Sequence, residues 1–181
     1  MNAPFSPAAP SSGLARLADR IDAFNDLVGR WTAWCTLAIV LVVACNVTLR
    51  YLFRIGPVWM QELEWHLISP IALIGMAYAM RYNEHVRIDM FYEKFKPSTR
   101  AWVDLAVAAA TLAVAGVIFA LSLTQVEYAY TSGEGSTDPG GLPYRFLLKA
   151  FIPLGFALVA LQALAHGARS VLAIVAGGRS G

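Results

Sequence analysis

The chain has 181 residues, of which 57% are hydrophobic and only 14% charged. A soluble domain carries about 25% charged residues, and a small soluble fold leaves much of its area in water. A mean hydropathy of +0.55 therefore points to an integral membrane protein. The net charge of +2, with no basic stripe, excludes a nucleic-acid partner.

Residues 1–13, rich in Pro, Ala and Ser, are expected to form a disordered tail. In residues 14–30, Leu14, Leu17, Ile21, Phe24 and Val28, followed by Trp31 at the start of the next run, recur at steps of three and four. Arg16, Asp19, Arg20, Asp22 and Asp26 fill the other face. The period predicts an amphipathic helix. With its acids balancing its arginines, it is expected to extend the first spanning helix or touch protein, in preference to lying among headgroups.

Four runs lack Asp, Glu, Lys and Arg: 31–49, 65–80, 105–126 and 150–168, of 19, 16, 22 and 19 residues. A spanning helix needs about 20 mostly apolar residues. The first run begins too late and runs too long for the core of a signal peptide. The sequence thus predicts an all-α integral membrane fold within residues 31–176, with four transmembrane helices over about 31–53, 62–81, 99–127 and 144–175. Residues 177–181 form a C-terminal tail. Pro70 is expected to kink the second helix rather than end it. Pro97 and Ser98 should stop the preceding loop and cap the third. Cys35 and Cys45, ten residues apart on one helix, lie too far apart to pair.

The connections and ends show a bias in cations. Ten Lys and Arg residues flank the helices on the side of the two termini, and four (Arg50, Arg54, Arg145 and Lys149) lie on the other. The positive-inside rule places both termini in the cytoplasm.

In the third helix Ala109, Ala113, Gly116 and Ala120 share one face. They either allow close helix approach or reflect the helix propensity of alanine. Three histidines raise the alternative of a membrane anchor for electron transfer, binding haem or quinone. His66 and His166 lie at opposite ends of their helices, however, and His85 sits in a charged loop.

The first hairpin carries more information. Arg50 ends the first helix, while Glu62 and Glu64 open the second, where carboxylates favour the helix dipole. Antiparallel packing is expected to bring Arg50 or Arg54 to Glu62, with His66 one turn further on. A structural or subunit-contact role is the expectation; a plain interface marker and an ion pathway are the alternatives. The second connection, Asn83-Glu84-His85-Val86-Arg87-Ile88-Asp89, is mixed in charge and then aromatic.

Several of these residues, in this order, resemble the small membrane subunit, the Q component, of tripartite ATP-independent periplasmic (TRAP) transporters. They are Arg50-Tyr51, Trp59 with Glu62, Gly75-x-Ala77-x-Ala79-x-Arg81 and His85-Val86-Arg87-Ile88-Asp89. Gly140-Gly141-Leu142-Pro143-Tyr144-Arg145 follows, then Lys149, Ile152-Pro153-Leu154-Gly155-Phe156 and Gln162. Gln61-Glu62 stands where an acidic doublet is frequent, and Glu64 lies close by. The resemblance implies a non-enzymatic scaffold in the bacterial inner membrane. It would support a large permease subunit, the M component, and help dock a periplasmic binding protein. It also implies no cofactor here, with sodium coupling in the large subunit. The Gly-Gly-Leu-Pro stretch resembles systems for 2-oxo or hydroxy monocarboxylates. Structural or contact roles fall to Arg50, Trp59, Glu62, Glu64, His85 and Asp89, and membrane lipids are the remaining partner.

Overall fold

The computed structural model describes residues 13–82 and 95–177. Four helices account for nearly all of them: α1 (Gly13–Leu52), α2 (Val58–Arg81), α3 (Pro97–Thr131) and α4 (Arg145–Gly177). Each is long and apolar enough to cross a membrane. The amphipathic segment and the first apolar run form one continuous helix of 40 residues, about 60 Å long at 1.5 Å per residue.

The ends of the helices follow local chemistry. Past α1, Phe53 and Ile55 donate back to the Leu49 carbonyl at 3.0 and 3.2 Å. Arg54 takes a left-handed backbone there, with φ 58°. Pro57 then starts α2 from an extended conformation. Pro70 is buried, and α2 runs through it. Pro97 does not precede α3; it opens it, behind Lys96. The missing N–H of proline costs nothing in a first turn, whose amide groups have no partner within the helix. Ser98 is therefore inside α3 rather than its cap.

The end of α3 is closed by glycine. Gly133, at φ 63°, lets its own N–H reach the Tyr130 carbonyl (3.2 Å) and the Glu134 N–H reach that of Ala129 (3.0 Å). This is the paired closure that left-handed glycine permits.

In space, α1 and α2 form a hairpin, α4 packs against both, and α3 packs chiefly along α4. The core joins Ile74, Ala77 and Met80 of α2 to Ala115 of α3 and Leu158, Val159 and Ala163 of α4. Small residues set the spacing. A Cβ at Gly155 would stand 2.8 Å from the Leu73 carbonyl oxygen, and one at Gly29 would enter the Tyr78 ring.

Two expected faces turn differently. On α3, Ala109, Ala113, Gly116 and Ala120 are exposed. Ala101, Ala108, Ala115, Ser122 and Ala129 are buried instead. That is one small residue every seventh position, the repeat that keeps a seam in register along a neighbouring helix. On α1 the buried line falls between the two faces: Val28 packs on the core, and Arg16, Asp19 and Arg20 stay exposed. Leu17, Phe24 and Trp31 are 54%, 50% and 69% exposed, whereas Ala18, Asn25 and Thr32 are buried. Asn25 turns inward to meet Gln162 of α4, and the small Ala18 and the Thr32 hydroxyl, which bonds the Val28 carbonyl, lie on the same buried line. Only 6% of the most apolar window of α1 is covered by the chain, against 33% for α4.

Candidate functional site

Polar side chains gather at the two ends of this bundle. One end carries the connections 53–57 and 132–144, the loop end. The other carries both chain termini.

At the loop end Glu62, in the second turn of α2, faces the α3–α4 connection. Its carboxylate accepts hydrogen bonds from the Ser136 hydroxyl and, at 2.5 Å, from the Leu142 N–H. The connection folds to make this possible. Gly140 adopts φ 82° and Tyr144 φ 66°. Ser136 N–H donates to the Leu142 carbonyl (3.2 Å), Gly141 N–H to that of Asp138 (3.0 Å) and Arg145 N–H to that of Glu134 (3.0 Å). Lys149 of α4 pairs with Glu134 at 2.5 Å. Gly141 leaves room for the carboxylate, since a Cβ there would lie 2.7 Å from Glu62 Oε2 and 2.3 Å from Ser136 Oγ.

The sequence-predicted residues distribute around this clasp. Glu62 is its centre. Arg50 is exposed and makes no ion pair with Glu62, so the pairing expected across the first hairpin is absent. The Glu62 carboxylate is met instead by an N–H and a hydroxyl of the 132–144 connection, with the Arg145 guanidinium acting on it electrostatically. Glu64 points to α1, where it accepts from Asn46 Nδ2 at 2.8 Å. His66 uses Nδ1 against the Glu62 backbone carbonyl (2.8 Å), not its carboxylate. Trp59 is 43% exposed. His85 and Asp89 lie outside the described residues.

The terminal end holds a second network that the sequence reading passed over. Asn25 of α1 donates through Nδ2 to Gln162 Oε1 of α4 at 2.6 Å. Gln162 Nε2 donates to Asp22 Oδ1 at 2.9 Å. Asp22 also pairs with Arg169 at 2.5 Å, which reaches Asp19 at 3.3 Å. Asn25 and Gln162 are almost wholly buried. Because Gln162 both accepts and donates, the orientation of its amide is fixed. A glutamine deep in an apolar run was the available signal: buried polar groups in a bilayer require partners.

Asp26 joins α1 to α2 beside it. It pairs with Arg81 and, at 2.8 Å, with Arg30. It also accepts the Tyr82 hydroxyl at 2.8 Å. The Arg81 guanidinium lies 5.1 Å from the Tyr82 ring centre, within cation–π range. Hydrogen bonding to Tyr78 and Asp26 pushes the Tyr82 phenol up to about 12.

Among the described residues no group of three His, Cys, Asp or Glu side chains is arranged to hold a metal. The polar residues fasten helices and a loop to one another. The fold and these fastenings define an all-α, multi-pass membrane protein whose apolar helices exceed what its own core covers. Residues 39–173, about three-quarters of the chain, match the family described as tripartite ATP-independent periplasmic transporters, DctQ component. The chain belongs to that family, whose members are transporter components rather than enzymes. No curated protein matches it.

Proposed function

We propose that this chain is the static, non-catalytic frame of a sodium-coupled TRAP transporter. In this reading it steadies the large M subunit in the bacterial inner membrane, with both termini cytoplasmic. The observation that carries it is α1: a 40-residue helix with 6% of its apolar window covered. About 60 Å of helix is twice the hydrocarbon thickness of roughly 30 Å. Even a 40° tilt, the upper end of what is common, leaves part of it outside. Its exposed apolar residues beyond the bilayer, Leu14, Leu17 and Phe24, need a protein surface, which a larger subunit supplies.

The latched 132–144 loop supports a second element of this reading. A loop held by Glu62 and Lys149 presents a fixed surface on the side where a periplasmic binding protein would arrive. In this reading sodium and substrate sites belong to the large subunit; the Glu62 and Asp22 carboxylates here are already engaged by groups of this chain. The cargo is an organic acid, and the resemblance of the Gly140–Gly141–Leu142–Pro143 stretch favours 2-oxo or hydroxy monocarboxylates.

Reconstitution tests the reading. Liposomes holding this chain alone, given a sodium gradient and 2-oxo acids, should show no uptake. Uptake should appear when the large subunit and binding protein are added. Uptake by the chain alone would overturn it. A cytoplasm-only reporter fused at Gly181 should be active; activity of a periplasm-only reporter there would reverse the topology.

A further inference from the structure

Residues 136–142 close on themselves within the α3–α4 connection. The Ser136 N–H donates to the Leu142 carbonyl across the neck (3.2 Å), and the Gly141 N–H reaches the Asp138 carbonyl inside it (3.0 Å). Pro139 and the left-handed Gly140 (φ 82°) are the central residues of that reversal, the pair a type II turn favours. The Asp138 N–H donates to Ser136 Oγ at 3.1 Å. From 137 to 140 every residue is exposed.

The base beneath this turn is held separately. The Glu134 N–H donates to the Ala129 carbonyl, the Arg145 N–H to the Glu134 carbonyl, and Lys149 pairs with the Glu134 carboxylate. None of these bonds passes through 136–142. Gly135, open at its Cβ, links turn and base on one side, and the left-handed Tyr144 (φ 66°) lies on the other. Among the described residues, the hydrogen bonds from the turn to other elements both end on Glu62. Its carboxylate accepts the Ser136 hydroxyl and the Leu142 N–H, the two neck residues. An internally bonded body is thus tied down by one charged group.

The charge gives that tie its strength. A hydrogen bond to an ionised acceptor is roughly twice as strong as one between neutral groups. A protonated carboxyl also carries a hydrogen on one oxygen and no longer offers both to donors. The cationic groups acting on Glu62 are Arg145 of α4 and His66 of its own helix, and both favour the ionised form at neutral pH. Among the described residues α1 makes no ion pair with it, and Glu134 and Lys149 are engaged with each other.

We infer that residues 136–142 are a strap that Glu62 holds closed while ionised and releases on taking a proton. The turn then swings as a body, with its internal bonds and its base intact. Amide exchange of the isotope-labelled full chain in micelles, read residue by residue by NMR at neutral pH, tests the body. Glu62→Gln keeps the shape of the side chain and removes its charge. In that variant the Leu142 amide should exchange about tenfold faster, the effect of charge assistance lost from one hydrogen bond. The Ser136 and Gly141 amides, bonded within the turn, should be unchanged, and so should Glu134 and Arg145 in the base. Faster exchange at Ser136 and Gly141 as well would mean that the turn unravels. An unchanged Leu142 amide would mean that Glu62 is not its hold; either result overturns the inference. A nitroxide on Thr137→Cys, in a chain carrying Cys35→Ala and Cys45→Ala, tests the proton without the Glu62 variant. Between neutral pH and about pH 3, across the range where glutamates titrate, the label should pass from restricted to mobile. Glu134→Gln should leave that transition in place. A label that stays restricted in acid, or a transition that Glu134→Gln removes, would overturn the strap.

Discussion

The position that Cβ would take at residue 141 is 2.7 Å from Oε2 of Glu62, a residue on another element and 79 positions earlier in the chain. No side chain fits there while the carboxylate stays where Ser136 and the Leu142 N–H hold it. A glycine in the loop and an acid on α2 are thus two halves of one fastening.

Gly141→Ala should therefore open the fastening. Overpacking of this kind typically costs about 1–3 kcal/mol. The thermal midpoint of the detergent-purified protein should fall, and limited proteolysis should gain a cut within 132–144. Gly135→Ala, in the same loop with open space at its Cβ, should produce neither change.

The partners of Glu62 predict which double mutants couple. Glu62→Gln combined with Ser136→Ala should be non-additive, because the two groups touch; contacting pairs show coupling of about 0.5–3 kcal/mol. Glu62→Gln combined with Arg50→Gln should be additive within about 0.5 kcal/mol. Measured coupling between Arg50 and Glu62 would restore the cross-hairpin pair.

These contrasts mark where the sequence could be read and where it could not. Spanning helices were legible because hydropathy is a local property summed over about 20 residues. The α1 amphipathic period was legible too, but not its direction. Turning Asp22, Asn25 and Asp26 inward depends on Gln162, Arg169 and Arg81 being there to meet them. Likewise the buried seam of α3 lies beside the face of Ala109, Ala113, Gly116 and Ala120, which the sequence left open between close approach and alanine propensity. Ala109 and Ala108 are equally small, and only the neighbouring α4 distinguishes them. Glu62 was identified as a structural residue from its position at a helix start. Its partner was sought in the nearest cations, whereas the partners come from 74 and 80 residues downstream. Local chemistry names the residue; packing chooses whom it meets.

The terminal-end network should behave as one unit. Asp22 receives both Arg169 and Gln162, so Asp22→Ala leaves the buried Gln162 amide without its acceptor and Arg169 with Asp19 at 3.3 Å. Losing an acceptor from buried donors costs about 1–3 kcal/mol. Asp22→Ala should lower the thermal midpoint clearly, and the double variant with Gln162→Leu should lose less than the sum of the two single losses, because the two side chains share one hydrogen bond. Additive losses in the double variant would show that the two side chains act separately.

The last prediction concerns Tyr82, whose phenol is raised to about 12 from an ordinary value near 10. A raised folded-state value means that the neutral phenol is the form favoured by folding. Its contribution is complete below pH about 10, the unfolded value, and is lost as pH climbs through the folded value. The junction of α1 and α2 should thus be insensitive to pH in the physiological range and should loosen only in strong alkali. Subtracting the ultraviolet tyrosinate titration of Tyr82→Phe from that of the wild type isolates this one phenol among seven tyrosines. The difference curve should have its midpoint near 12. In an Asp26→Asn background the same subtraction should move that midpoint downward. The hydrogen bond to Asp26 and the carboxylate's negative charge both oppose ionisation of the phenol, and asparagine keeps an acceptor while removing the charge. An unshifted midpoint would mean that Tyr78 alone holds the phenol neutral, and that Asp26 serves Arg81 and Arg30 instead.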